Sequence, residues 1–383
     1  MAQLGDVGKV ITGNTPKTSD LRNYISKDIC FVKPSDIADG TVTYLDDSEF
    51  YISEYARVKA RVLPPQSVLV TCIGIIGKVA INNVECAFNQ QINAIIPDKS
   101  KCLTEYLAYA IQNKQAEMQD IANAPVVPIL NKTQFSDIEI KLPSLSEQEN
   151  IIQRLNAVSK LISLRKEQLA KLDQLVKTRF IELFGTYPSN PMGWECGTIR
   201  DIVADVRYGS SRPAVDGGKY PYLRMNNITY GGELDLTDTK RIDVPENELA
   251  KCTVRRGDVL FNRTNSKELV GKTCVYNRDE MMVLAGFVIR VRVTERVLPE
   301  FLSAFLNTDF SKQMLLGMCK AAIGQANINA QEMQNIGLYL PPIELQRQFV
   351  QFKEQTDKSK VSIQQSLDKL ETLKKSLMQE YFR

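Results

Sequence analysis

Two kinds of hydrophobic patterning alternate along this chain. In two long stretches free of Gly and Pro, apolar residues recur at spacings of three, four and seven. The first stretch starts near Ser144 and ends at Gly185; in it Leu155, Ile162, Leu169, Val176 and Leu183 fall seven apart, with Ile151, Val158 and Leu172 between them. The second starts near Pro342 and carries Phe349, Phe352, Thr356, Ile363, Leu367, Leu370, Leu377 and Tyr381. This spacing predicts two long helices with a coiled-coil seam, interrupted by the polar Arg165 and Arg179. About 37 residues of helix make a rod of roughly 55 Å. Ser146 followed by Glu149 reads as a capping box at the first helix start. A rod with one apolar stripe must bury it against something. Each rod could pack on its own globular half, or the two could pack on each other. The matching stripe positions favour an antiparallel pair.

The remaining regions read as short strands between Gly, Asn and Pro turns. Examples are Ser67 to Cys72, Lys78 to Ile81, Gly257 to Phe261 and Phe287 to Val293, with short helices expected over Leu103 to Met118 and Pro299 to Met318. The predicted class is α+β with mostly antiparallel strands. The chain divides into a β-rich domain at 1–143, a long helix at 144–184, a Pro- and Gly-rich hinge at 185–197, a second β-rich domain at 198–341 and a second long helix at 342–383.

The halves repeat one plan. Ile138 to Pro143, followed by Gln148, recurs as Ile336 to Pro341, followed by Gln346. The same offset aligns Asn131 with Asn329, Leu169 with Leu367, Lys171 with Lys369, Leu172 with Leu370 and Phe184 with Phe382. A duplication explains why 383 residues exceed the ~100–200 of one typical domain.

Charge adds little. The 48 Lys+Arg and 45 Asp+Glu leave +3, and residues 1–143 are slightly acidic, with 14 basic and 16 acidic side chains. A nucleic-acid surface would therefore depend on placement rather than excess. The chain has no histidine, which removes the commonest general base and the Ser-His and Cys-His nucleophile pairs. The eight cysteines form no C-x-x-C pair and read as reduced thiols in a cytoplasmic protein. No apolar run reaches the ~20 residues of a membrane span, so no membrane partner is expected.

Several short motifs imitate catalytic sites. Gly271-Lys272-Thr273 ends like a phosphate-binding loop but has Ser266 where its first glycine belongs and a strand-like sequence after it. Gly74 to Val79 has the wrong spacing. Asp98, Glu139 and Lys141 mimic a metal-dependent nuclease, yet the repeat places Gly337 and Tyr339 at the latter two positions. Asn190-Pro191-Met192-Gly193 lacks the second proline and the aromatic residue of DNA amino-methylases. No catalytic, cofactor or metal site is predicted. Two polar clusters remain, Arg207 to Arg212 and Arg263 to Lys267, able to hydrogen-bond base edges or phosphates or simply to be solvated turns.

A β-rich half closing on Leu-Pro and a nearby glutamine, followed by a long helix, done twice, resembles the specificity (S) subunit of type I restriction-modification systems. The stretches that carry the likeness are Leu142 to Gln148, Leu340 to Gln346, Thr71 to Lys78 and Arg263 to Lys272. The resemblance implies two target-recognition domains, each reading one half of a bipartite site on double-stranded DNA. Half-sites one helical turn apart lie ~34–36 Å from each other, a spacing the paired helices would set. It also implies partners: two modification subunits bringing S-adenosylmethionine, and restriction subunits bringing ATP-driven translocation and Mg-dependent cleavage, with no cofactor on this chain. The expected DNA-contacting residues are Asn14, Thr15, Lys17, Thr71, Ile73, Lys78, Asn89, Gln90 and Gln91 in the first domain. In the second they are Arg207, Ser210, Arg212, Asn226, Asn227, Arg263, Thr264, Asn265, Ser266, Lys272, Gln325 and Asn327. Asn and Gln suit adenine edges; Arg and Lys suit guanine or phosphate. The competing readings are a protein-interaction scaffold on a coiled-coil rod and a stand-alone nuclease using Asp98 and Glu139.

Overall fold

The computed structural model describes residues 1–122, 128–319 and 326–383. The chain forms two compact units, one of 1–166 with 365–383 and the other of 167–364, so each unit holds part of both long helices.

In the first unit a five-stranded sheet runs in the order Gly8–Thr12, Ile92–Pro97, Val68–Thr71, Val79–Asn82, Val42–Leu45. Its pairs are antiparallel except the last. The strands Val68–Thr71 and Val79–Asn82 are buried on both faces, which is why they read as continuous apolar runs rather than an alternation. A four-stranded sheet, in the order Tyr51–Ile52, Ile29–Val32, Cys86–Phe88, Val62–Leu63, packs beside it with one parallel pair at its centre.

The second unit also has two such sheets, here of four strands each. One runs Val203–Tyr208, Val288–Val293, Val259–Asn262, Thr273–Val275, all antiparallel. The other runs Lys240–Ile242, Tyr220–Leu223, Met282–Leu284, Thr253–Val254, again with a parallel central pair.

Both expected short helices are broken in two. The first becomes Thr104–Asn113 and Gln115–Ile121, the second Pro299–Leu306 and Asp309–Met318. In the latter case the cause is chemical. The Thr308 hydroxyl accepts the Ser311 N–H at 3.2 Å and starts a new helix, while the Asn307 amide donates to Thr273 O and Ser303 O.

The long helices span Leu145–Phe184 and Ile343–Phe382, 40 residues each, or roughly 60 Å. In the first unit the beginning of one helix packs on the end of the other: Ile151, Ile152 and Leu155 share a core with Leu377, Met378, Tyr381 and Phe382. In the second unit Val176, Phe180, Leu183 and Phe184 meet Leu345 and Phe349. The pairing is antiparallel, and each sheet domain also covers a helix end. Phe382 lies 5.2 Å from the Tyr106 ring, and its repeat counterpart Phe184 lies 5.0 Å from Phe301. The expectation of a choice between partners is thus replaced by both contacts at once. The capping box at the first helix is formed by Ser144 and Glu147, not by Ser146 and Glu149, because the helix begins at Leu145.

All eight cysteines are free, and five are buried. Burial pushes the Cys86, Cys102 and Cys274 thiols up to about 12, as fits small core side chains. No helix among the described residues is long and apolar enough to cross a membrane.

Candidate nucleic-acid interface

The residues singled out from the sequence gather around one loop in each domain, the connection from Val68–Thr71 to Val79–Asn82 in the first and from Val259–Asn262 to Thr273–Val275 in the second. In the first domain this loop is closed by Gly77 N–H to Thr71 O and Thr71 N–H to Lys78 O, both 3.0 Å. In the second, Gly271 N–H to Asn262 O and Asn262 N–H to Lys272 O close it at 2.8 Å. The loops have one framework and different lengths, 72–77 against 263–271. Gly77 and Gly271 have φ of +82° and +77°, and a Cβ there would strike Gln115 or Leu315, so both positions require glycine.

The two closing lysines point inward. Lys78 Nζ donates to Pro34 O at 3.1 Å and Ile37 O at 2.8 Å, and Lys272 Nζ donates to Met225 O at 2.8 Å. Burial pushes the Lys272 ammonium below the ordinary lysine range. Pro34 and Met225 open two matching 3₁₀ turns, Pro34–Asp36 and Met225–Asn227, and Ile37 directly follows the first. Each turn is pinned by its last residue: Asp36 accepts Lys33 N–H at 2.7 Å, and Asn227 accepts Arg224 N–H at 2.8 Å.

This changes the reading of several candidates. Lys272, Asn227 and Thr71 are buried braces, and the half-buried Lys78 braces its turn from the side of a surface groove. Asn227 is 2% exposed and also donates to Asp235 O and Asp238 O. The Thr71 hydroxyl is buried, donating to Ile75 O and accepting Lys78 N–H. Ser210 is buried, and its hydroxyl accepts Arg212 N–H. Asn14 ties the chain to Lys59 O and Arg61 N–H, at 2.7 and 2.8 Å. Asn89 is buried and holds Gln91 through both its amide atoms.

Other candidates stay at the surface. In the first domain Lys17 is exposed, and Thr15 bonds Gln90 at 2.6 Å. Ile73, Lys78 and Gln91 line a groove with Gly74, Ile75 and the turn residues Lys33 to Ser35. Lys33 and Ser35 carried no sequence signal, because they lie some forty positions from the loop they face.

In the second domain Arg263 is half-buried at the rim of its loop. Its guanidinium lies 4.9 Å from the Tyr208 ring centre and donates to Asn327 Oδ1 at 3.1 Å, while its buried Nε has no partner. The strand Thr264–Asn265 pairs with Ala326–Asn327, so Arg263, Asn265 and Asn327 come together, while the expected contact Thr264 is buried. Ser266 is exposed on the same loop. Arg207 and Arg212 are instead held by Asp205 and Glu248, at 2.9 and 2.8 Å. Burial alone would raise the Asp205 carboxyl; the Arg290 and Arg207 guanidiniums outweigh it and hold that group below the ordinary range. Asn226 is exposed. Gln325 lies outside the described residues.

The catalytic imitations have ordinary local roles. The strand Thr273–Val275 follows Gly271-Lys272, where a phosphate-binding loop needs a helix. The Asp98 carboxyl is held low by the Ser100 hydroxyl and N–H, and Glu139 sits in a two-residue strand paired with Ala2–Gln3.

A sheet domain with a braced polar turn and loop at its rim and a 40-residue helix leaving it, built twice, defines a duplicated recognition protein. The chain belongs to the type I restriction modification DNA specificity domain family, whose pattern matches residues 1–174 and again 191–374. Over its whole length it is 22% identical to 88% of the type I restriction enzyme EcoKI specificity subunit of Escherichia coli K12. A similar match, 22% identity over the whole chain and 88% of the relative, links it to the StySPI specificity subunit of Salmonella potsdam. The MjaIX specificity subunit of Methanocaldococcus jannaschii is 29% identical over 62% of this chain and 59% of its own length. In fold the chain resembles the S subunit of a type I restriction-modification system from M. genitalium, with a TM-score of 0.56 and 12% identity over 100% of this chain and 95% of that one. A second type I system structure gives 0.61 and 19% identity, covering 99% and 96%.

Proposed function

We propose that this chain is the non-catalytic DNA-reading subunit of a type I restriction-modification assembly, each of its two domains recognising one half of a bipartite site. The observation that supports it is the double family match, which falls on two domains carrying the same braced turn and loop. Modification subunits dock on the chain and bring S-adenosylmethionine; restriction subunits bring ATP and Mg for translocation and cleavage. This division of labour suits a chain without histidine and with a net charge of only +3, because phosphate contacts from partners supply the sequence-independent share of affinity. Base readout is then left to a few hydrogen-bonding side chains.

The test is to sequence methylated bases in cells with and without this chain. Loss of one two-part methylated motif on deletion is expected. An unchanged methylation pattern in cells whose modification subunits are expressed overturns the reading.

A further inference from the structure

The two loop lysines and the turns they hold form a device that occurs in both domains. In each domain a lysine leaves the end of the loop and donates to the first carbonyl of a 3₁₀ turn brought from a distant part of the chain, Lys78 binding Ile37 O just after its turn as well. The last residue of each turn locks it from within, Asp36 by accepting Lys33 N–H and Asn227 by accepting Arg224 N–H. A further bond anchors each turn to its surroundings: Asp36 accepts Glu49 N–H at 3.0 Å, and Asn227 donates to Asp235 O at 2.9 Å. Between the residue that starts the lock and the one that closes it stand Ser35 and Asn226, at matching positions. Both are exposed, and neither side chain makes a hydrogen bond to the described residues. A rigid turn with an unpartnered polar side chain at its tip is what base-edge recognition needs, since a pre-positioned donor or acceptor loses little freedom on binding.

We propose that Ser35 and Asn226 are specificity-determining contacts to DNA base edges, and that Lys78 and Lys272 are positioning residues that hold their turns. This rests on the reading of the chain as a DNA specificity subunit. The Asn226 amide presents a donor and an acceptor side by side, which matches N6 and N7 of adenine in the major groove. Ser35 carries a single hydroxyl and makes a less selective contact. The Lys78 ammonium commits two of its three N–H donors, and the Lys272 ammonium one, to these backbone carbonyls, which fixes where each head group sits.

The test replaces the native chain in its own cells with Asn226→Ala, Ser35→Ala, Lys272→Met or Lys272→Arg and sequences the methylated motif. Asn226→Ala is expected to relax one A·T position in one half of the motif, raising methylation at sites with the wrong base there about ten-fold. Ser35→Ala relaxes a position in the other half. Lys272→Met relaxes the same position as Asn226→Ala, and Lys272→Arg restores discrimination. An intact motif with both alanine variants, or relaxation at a G·C pair by Asn226→Ala, overturns the contact assignment. Lys272→Met lowering methylation evenly at all sites with the motif unchanged overturns the positioning role. A native chain that supports no motif at all overturns the functional reading instead, so the two failures are distinct.

Discussion

The side-chain carbonyl of Gln148 accepts the Leu103 N–H at 2.8 Å, and 198 residues later Gln346 accepts the Leu298 N–H at the same distance. Each amide nitrogen then donates to two carbonyls, Lys101 O and Pro143 O in the first domain, Arg296 O and Pro341 O in the second. Both glutamines are fully buried. The glutamine after each Leu-Pro is therefore the knot between the first turn of a long helix and the start of the helix that packs on it.

Removing the knot leaves several buried backbone groups without partners. Gln148→Ala and Gln346→Ala are each expected to lower the stability of their own unit by about 1–3 kcal/mol. Gln148→Glu has nearly the same effect at neutral pH, because a carboxylate accepts from Leu103 but cannot donate to Lys101 O and Pro143 O. Urea unfolding followed by amide exchange in each unit measures this; a loss below about 0.5 kcal/mol would show that water replaces the amide.

Arg263 makes a separate prediction about DNA. Its guanidinium is held in place by the Tyr208 ring and Asn327 Oδ1. Arg263→Ala is expected to weaken binding to the cognate bipartite site by about 1–3 kcal/mol while sparing the other half-site. Competition binding with half-site variants reads this directly. Equal weakening on unrelated DNA would assign Arg263 to phosphate alone.

Lys312 ties stability to pH. It donates to Gly271 O at 3.2 Å and lies 5.1 Å from the Tyr230 ring. Burial, with the charges of Lys272 and Lys177 adding to it, pushes its ammonium down to about 8 from the ordinary 10.5. Between those two values the unfolded chain holds the proton that the folded one has lost, so this group's contribution to stability rises with pH across that window. Below it the group is charged in both states and its burial cost is complete. The stability of the native chain relative to Lys312→Met is therefore expected to increase from pH 7.5 to pH 10. An equal difference at both pH values in urea unfolding would contradict this.

The long helices predict a change in spacing. Inserting one heptad between Leu169 and Val176, and a matching one between Leu367 and Lys374, adds about 10 Å of helix to each rod while preserving the seam. The methylated motif is expected to keep its two halves and change the number of bases between them. An unchanged spacer in methylation sequencing would remove the helices from that role.

Much of the architecture was legible in the sequence because it is written in local periodicity. A stripe repeating every seven residues can only be a long helix with a partner, and two stripes at one offset can only be a duplication. The helix ends and the shifted capping box were less legible, since Ser144 and Ser146 are equally good caps until the preceding Leu-Pro fixes where the helix starts. The polar candidates were the least legible. The identities of Lys78, Lys272, Asn227 and Thr71 suit DNA as well as they suit a brace, and the choice depends on which carbonyls lie within 3 Å.

The sequence by itself thus determined the repeated α+β plan, the two rods and the lack of histidine chemistry. Only the tertiary structure decided which polar side chains face inward and which stand free at the rim. The reason is physical: a buried ammonium or amide must find acceptors, and here they come from turns some forty residues away along the chain. Ser35 and Asn226, with no such acceptors at hand, are left facing solvent.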